Sequence, residues 1–118
     1  MHRSDPVMQI HEERKGAVTV LRPSGPVTHA DAEDLRRCVS EAGAASLGRV
    51  VLDVADVPYV DSGGLEALVE LNEELSRSGR SLKLCGLNET LREVLDLTEL
   101  GPLFEHYDDL ASAVRSFL

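Results

Sequence analysis

The residues best suited to chemistry in this chain are Asp61 and Ser62, which two glycines follow in the stretch VPYVDSGGL at 57–65. This stretch leads from a predicted strand into a helix predicted to begin at Ser62, so the serine lies where an N-cap residue is expected. Capping alone is worth about 1 kcal/mol and accounts for a serine here. Gly63 and Gly64 add a second observation, because glycine disfavours a helix and leaves backbone N–H groups uncovered. Such groups favour either a covalent phosphate on Ser62 or a closely docked partner.

Other kinds of chemistry lack their sequence signatures. Asp61 precedes the serine, so the G-x-S-x-G pattern of a hydrolase nucleophile is missing, and an enzyme that uses Ser62 ranks last. The four histidines show no HxxxH or HExxH spacing, which predicts no metal site. The glycine-rich stretches match neither a P-loop nor GxGxxG, so we expect no nucleotide and no other cofactor.

Composition narrows the class of protein. The chain has 118 residues, 42% of them hydrophobic and 3% aromatic, which predicts one core built from branched aliphatic side chains. Its formal net charge of −9 disfavours nucleic acid and anionic lipid surfaces, and it also promotes solubility. Cys38 and Cys85 form no CxxC, and no apolar stretch approaches the ~18 residues of a membrane span. We therefore expect a cytoplasmic protein with reduced cysteines and no direct membrane contact.

The hydrophobic pattern predicts an α/β fold. Two alternating segments near residues 8–11 and 18–22, separated by a polar break at 12–16, indicate an antiparallel hairpin. Strand and helix signals then repeat, which predicts a mixed, mostly parallel sheet packed with about four helices. Residues 1–6 are predicted to be a flexible N-terminus, and residues 7–118 a single domain. The predicted elements are a helix with a capping box at Thr28 and Asp31 that ends near Gly43, a strand at 49–54, a helix from Ser62 to Gly79, a strand at 81–85, a helix capped by Asn88, a strand at 104–107, and a final helix capped by Asp108.

From about residue 7 to the C-terminus the chain resembles the STAS domain family, and within it the stand-alone bacterial anti-sigma-factor antagonists. Three stretches carry the resemblance: VTVLRPSGPVTHADAEDL at 18–35, RVVLDVADVPYVDSGGL at 49–65, and LKLCGLNETLREVLDLTEL at 82–100. The middle stretch is the most specific, because antagonists are similar to it with DSSGL or DSTGL. The outer two stretches are less specific, but their order and spacing agree with those of the family.

The resemblance implies a partner switch without enzymatic activity of its own. The unmodified protein would bind an anti-sigma factor that is also a serine kinase, the kinase would phosphorylate Ser62, and a PP2C-type phosphatase would reverse the modification. The implied docking surface comprises Ser24, Gly25, Thr28, His29, Asp61, Ser62, Gly63, Gly64, Gly86 and Asn88. A phosphate next to Asp61 on an acidic protein opposes redocking through repulsion and desolvation.

Two residues depart from the pattern of the antagonists. Gly63 stands where they usually have Ser or Thr, and this leaves the acceptor Ser62 in place. Thr28 stands where many have Asp, which removes a carboxylate near the implied phosphorylation cleft. A second interpretation is therefore a STAS subunit of a scaffold or of a lipid-transport ATPase complex, in which the motif docks without phosphorylation.

Overall fold

In the computed structural model, which describes residues 8–118, strands and helices alternate along the chain. The predicted flexible segment 1–6 lies outside the described residues. The strands are β1 (Gln9–Lys15), β2 (Val18–Ser24), β3 (Val50–Asp53), β4 (Lys83–Cys85) and β5 (Glu105–Tyr107). The helices are α1 (Ala32–Ala45), α2 (Ser62–Ser76), α3 (Glu89–Leu97) and α4 (Leu110–Arg115), and 3-10 turns lie at His29–Asp31 and Gly101–Leu103.

The five strands form one mixed sheet in the order β1-β2-β3-β4-β5. The first pair is antiparallel, and the other three pairs are parallel. Each parallel pair is joined through a helix, because α1, α2 and α3 follow β2, β3 and β4 in turn. The predicted α/β class, with a hairpin opening a mostly parallel sheet, is confirmed. The loops that follow β2, β3 and β4 therefore all leave from the same edge of the sheet.

The two faces of the sheet are covered differently. Helices α1, α2 and α3 bury one face with aliphatic side chains such as Leu35, Leu71 and Leu91, which pack on Leu52 and its neighbours. The short helix α4 covers the other face, where Ala113 packs on valines of β2 and β3. Within residues 8–118, no helix is long and apolar enough to cross a membrane.

The hairpin differs from its prediction. The polar residues 12–15 do not break the strand, because β1 continues to Lys15 and pairs there with Val18. β1 is an edge strand, and most of its side chains are exposed. Its backbone pairing with β2 holds it in the sheet, so its residues need not alternate between apolar and polar. The chain turns instead at Gly16, whose φ of +64° suits glycine.

The cap of α4 was also predicted one residue too early. The carboxylate of Asp109, rather than that of Asp108, accepts a hydrogen bond from the N–H of Ser112 at 2.7 Å. Two consecutive aspartates satisfy the same sequence rule, and the backbone conformation of Asp109 decides between them. The cap predicted at Asn88 for α3 is confirmed, with 2.8 Å between its side-chain oxygen and the N of Leu91.

Candidate functional site

Asp61 caps α2, and Ser62 is the first residue of the helix. One carboxylate oxygen of Asp61 accepts a hydrogen bond from the N–H of Gly64 at 2.8 Å, and Asp61 has the extended backbone of an N-cap. The prediction of Ser62 as the N-cap is therefore wrong, because the preceding carboxylate reaches the same amide. The helix start does not depend on the Ser62 hydroxyl, and Ser62 is exposed.

The Asp61 carboxylate also binds a second segment of the chain. Its other oxygen accepts a hydrogen bond from the backbone N–H of His29 at 3.1 Å. The N–H groups of Gly64 and His29 lower the pKa of the Asp61 carboxyl from its ordinary value. A negative charge is thus held directly beside Ser62 and at the N-terminus of α2, where the helix dipole favours it.

The residues just before the His29–Asp31 turn are fixed to the loop that precedes α2. The N–H of Val27 donates to the carbonyl of Tyr59 at 3.1 Å, and the N–H of Asp61 donates to the carbonyl of Val27 at 3.2 Å. Together with the bond to His29, these contacts hold the two segments side by side around the start of α2.

The two glycines of the motif are required by this close approach. A Cβ atom on Gly63 would lie 2.6 Å from the Cβ and 2.7 Å from the Cα of His29. A Cβ on Gly64 would overlap the carbonyl oxygen of Val27. The sequence indicated that something requires bare backbone here, and the structure identifies it as the chain's own segment at 27–29. Gly63 is thus matched to His29 in this protein.

Thr28 begins the 3-10 turn that leads into α1. One oxygen of the Asp31 carboxylate accepts hydrogen bonds from the N–H of Thr28 at 3.1 Å and from its hydroxyl at 2.8 Å. The predicted capping pair of Thr28 and Asp31 is confirmed. A carboxylate is therefore bonded to the Thr28 side chain, although position 28 itself lacks one. Sequence reasoning missed Asp31 as a residue of the site, even though its capping spacing placed it beside Thr28.

The other predicted loops meet the earlier part of the same segment. Gly25 donates its N–H to the carbonyl of Asp56 at 3.1 Å, and Ser24, its neighbour, ends β2. The side-chain amide of Asn88 donates to the carbonyl of Val57 at 2.9 Å. A Cβ on Gly86 would lie 3.0 Å from that of Ala55.

We call residues 24–31, 54–64 and 86–88 the edge surface. The structure brings the ten predicted residues together there, with Thr28 and His29 beside the end of the central segment and Gly86 and Asn88 beside its beginning. Nine of them are at least partly exposed, whereas Gly64 is buried beneath Val27 and supports the surface from below. Tyr59 also belongs to it, and its side chain is 48% exposed. The signal that sequence reasoning missed was an aromatic residue directly after Pro58, in the loop that leads to the motif.

No metal centre adjoins this surface in the part of the chain that the structure describes, and the apolar cleft beside it is small. Residues 8–118 contain no group of three or more His, Cys, Asp or Glu side chains placed to hold one ion. The apolar cleft between α2 and α3, lined by Val60, Leu65 and Val94 among others, encloses only about 20 Å³. A space of that size is far too small for a cofactor.

Comparisons with known proteins assign the family. The STAS domain model matches residues 9–113, and the chain belongs to the STAS domain family. It is similar to the anti-sigma F factor antagonist of Paenibacillus polymyxa, at 24% identity over 108 residues that cover 91% of this chain and 92% of that protein. The resemblance seen in the sequence is thereby confirmed.

Solved structures show the same fold. A candidate anti-sigma factor antagonist from Thermotoga maritima superposes with a TM-score of 0.81 at 24% identity, covering 91% of this chain and 92% of that one. The Bacillus cell fate determinant SpoIIAA in its phosphorylated form gives a TM-score of 0.68 at 19% identity, covering 95% and 100%.

Proposed function

We propose that this chain is an anti-sigma factor antagonist that docks on an anti-sigma factor through the edge surface and is released when Ser62 is phosphorylated. The observation that carries this proposal is the position of Ser62, an exposed hydroxyl on the first turn of α2 next to the ionised Asp61. The related protein of Paenibacillus polymyxa is named an anti-sigma F factor antagonist, and SpoIIAA is known in a phosphorylated form.

Charge and desolvation explain how the modification would act. A phosphate adds about −1.5 to −2 charges at pH 7. On Ser62 it would lie beside the Asp61 carboxylate, in a surface that must lose water when a partner docks. The N-terminus of α2 stabilises the added charge in the free protein, which favours the undocked state.

In this proposal, the partner proteins catalyse the phosphorylation and dephosphorylation of Ser62. The anti-sigma factor acts as the serine kinase, a PP2C-type phosphatase removes the phosphate, and the chain itself is not an enzyme but a cytoplasmic binding protein. The antagonists that the chain resembles often have Asp at position 28, where this chain has Thr28. The carboxylate of Asp31 lies 2.8 Å from the Thr28 hydroxyl and keeps an acidic group in this part of the edge surface. Asp31 therefore supports phosphorylation of Ser62 in this chain.

The test uses the ATP-binding anti-sigma factors encoded in the same genome, each purified and mixed with the full chain and labelled ATP. We expect one of them to transfer phosphate to the wild type and to Ser78→Ala, a matched exposed serine outside the edge surface, but not to Ser62→Ala. Ser62→Ala should still bind that partner, whereas Ser62→Asp should bind at least about tenfold more weakly. Equal binding of both variants would contradict the switch. Docking without any phosphorylation would favour a scaffold or transport-complex subunit.

A further inference from the structure

A buried carboxylate lies behind the edge surface, and the proposed switch does not use it. Asp53 is the last residue of β3, its side chain is only 9% exposed, and it faces the side of the sheet that α4 covers. A buried charge is costly unless it is paired and hydrogen-bonded. The groups that pair with Asp53 are therefore held close to its carboxylate.

Each partner of Asp53 belongs to a different loop of the edge surface or to the strand that leads into it. On β2, two residues before Ser24, the Nε of Arg22 donates to Oδ2 of Asp53 at 3.2 Å. In the loop after β3, the N–H of Ala55 donates to Oδ1 at 3.1 Å. On β4, Cys85 is the register partner of Asp53, so its buried thiol lies beside the carboxylate on the same face of the sheet.

Close packing adds a fourth contact. A Cβ on Gly86 would lie 3.0 Å from Oδ1 of Asp53, and Gly86 adopts a φ of +76°, which glycine tolerates best. The loop after β4 therefore turns directly over the carboxylate. The three loops diverge from this one point, and further along they are joined by the bonds of Gly25 to Asp56 and of Asn88 to Val57.

We propose that Asp53 is a positioning residue that fixes the three loops relative to one another, so that the edge surface is preformed for its partner. Arg22 supports this role from β2, because its guanidinium is the charged group paired with the carboxylate. A preformed surface avoids the entropy of ordering loops on binding, which otherwise weakens association. As far as docking is concerned, this inference rests on the proposed function.

The first test measures backbone hydrogen exchange in the full-length free chain and needs no partner. We expect Asp53→Asn to accelerate exchange in residues 24–31, 54–61 and 86–91 by about tenfold or more. The single amide oxygen replaces only one of the two carboxylate oxygens that accept from Arg22 and Ala55, and the charge beneath all three loops is lost. Exchange in α1 should stay at the wild-type rate. Val51→Ala is the matched control, because Val51 is fully buried on the same strand and face but contacts no residue of the edge surface through a polar group.

The control separates positioning from general stability. Val51→Ala should lower the melting temperature without selective acceleration in the three loops. The same exchange pattern in both variants, or acceleration in only one loop with Asp53→Asn, would overturn the inference. Arg22→Met offers a second test, because it leaves the buried carboxylate bonded to Ala55. Hydrogen exchange should accelerate in residues 24–31 and stay at the wild-type rate in α1. Wild-type exchange in that loop would also overturn the inference.

Binding then separates this inference from the proposed function. With an anti-sigma factor that binds the wild type, Asp53→Asn should bind at least about tenfold more weakly although Ser62 is intact. Normal binding by Asp53→Asn would contradict the positioning role and leave the switch standing. A wild-type chain that binds no anti-sigma factor would contradict the proposed function, whereas the exchange result would still decide whether Asp53 orders the loops.

Discussion

The carboxylate of Asp61 joins the start of α2 to the backbone N–H of His29, which lies 3.1 Å away and 32 residues earlier in the chain. One side chain thus serves as a helix cap and as a tether for a distant turn. The same contact explains why the residue before the proposed phosphoacceptor is acidic, since an oxygen acceptor is needed at the position where both N–H groups converge.

Asp61→Ala should lower the free energy of unfolding by about 1 to 2 kcal/mol, because the N-cap and the tether to His29 are lost together. Asp61→Asn is the matched control, since asparagine caps helices nearly as well as aspartate. Urea unfolding followed by circular dichroism measures both. An alanine variant as stable as the wild type would show that neither contact contributes.

The dependence of stability on pH should report the charge of Asp61. Its folded pKa is lowered by the N–H groups of Gly64 and His29, so the stabilisation is complete above the unfolded pKa of about 3.9 and disappears as pH falls through the folded value below that. Asp61→Asn cannot titrate. Its stability should therefore fall less than that of the wild type between about pH 5 and pH 3. Glu105 and Asp109, whose pKa values are also lowered, are present in both proteins and cancel in the comparison.

The fold could be predicted because its signals are local and repeated. Aliphatic runs mark the buried strands, and capping residues such as Asn88 mark helix starts. Both errors in the helix caps fall where two adjacent residues satisfy the same rule, as Asp61 and Ser62 do at the start of α2. The extended backbone of Asp61 and its bond to Gly64 decide between them, and the bond to His29, formed through the folded chain, adds a second reason for a carboxylate there. The sequence could not show why residue 63 is a glycine either. His29, which occupies the space that a side chain at position 63 would need, is distant in the sequence.

Gly63→Ser should restore the residue type usual in the antagonists that the chain resembles and yet destabilise this protein. The new Cβ would meet the Cβ of His29 at 2.6 Å, so the turn at 29–31 must move or the helix start must distort. Such overpacking costs about 1 to 3 kcal/mol. Ser62→Ala, one residue earlier and exposed, should change stability by less than about 0.5 kcal/mol. Thermal unfolding of the two variants side by side measures the difference, and equal melting temperatures would argue against the matched fit of Gly63 and His29.

The two cysteines should react at very different rates. Burial, followed by the neighbouring Asp53 carboxylate, raises the pKa of the Cys85 thiol to about 12, and the residue is only 1% exposed. Burial also raises the pKa of Cys38, but that thiol is half-buried at the surface of α1. A thiol reagent at pH 8 should therefore modify one cysteine in the native wild type and none in Cys38→Ser, with the second site appearing only in denaturant. Rapid labelling of Cys38→Ser would mean that the contact between Cys85 and Asp53 opens readily, and it would weaken the positioning role proposed for that carboxylate.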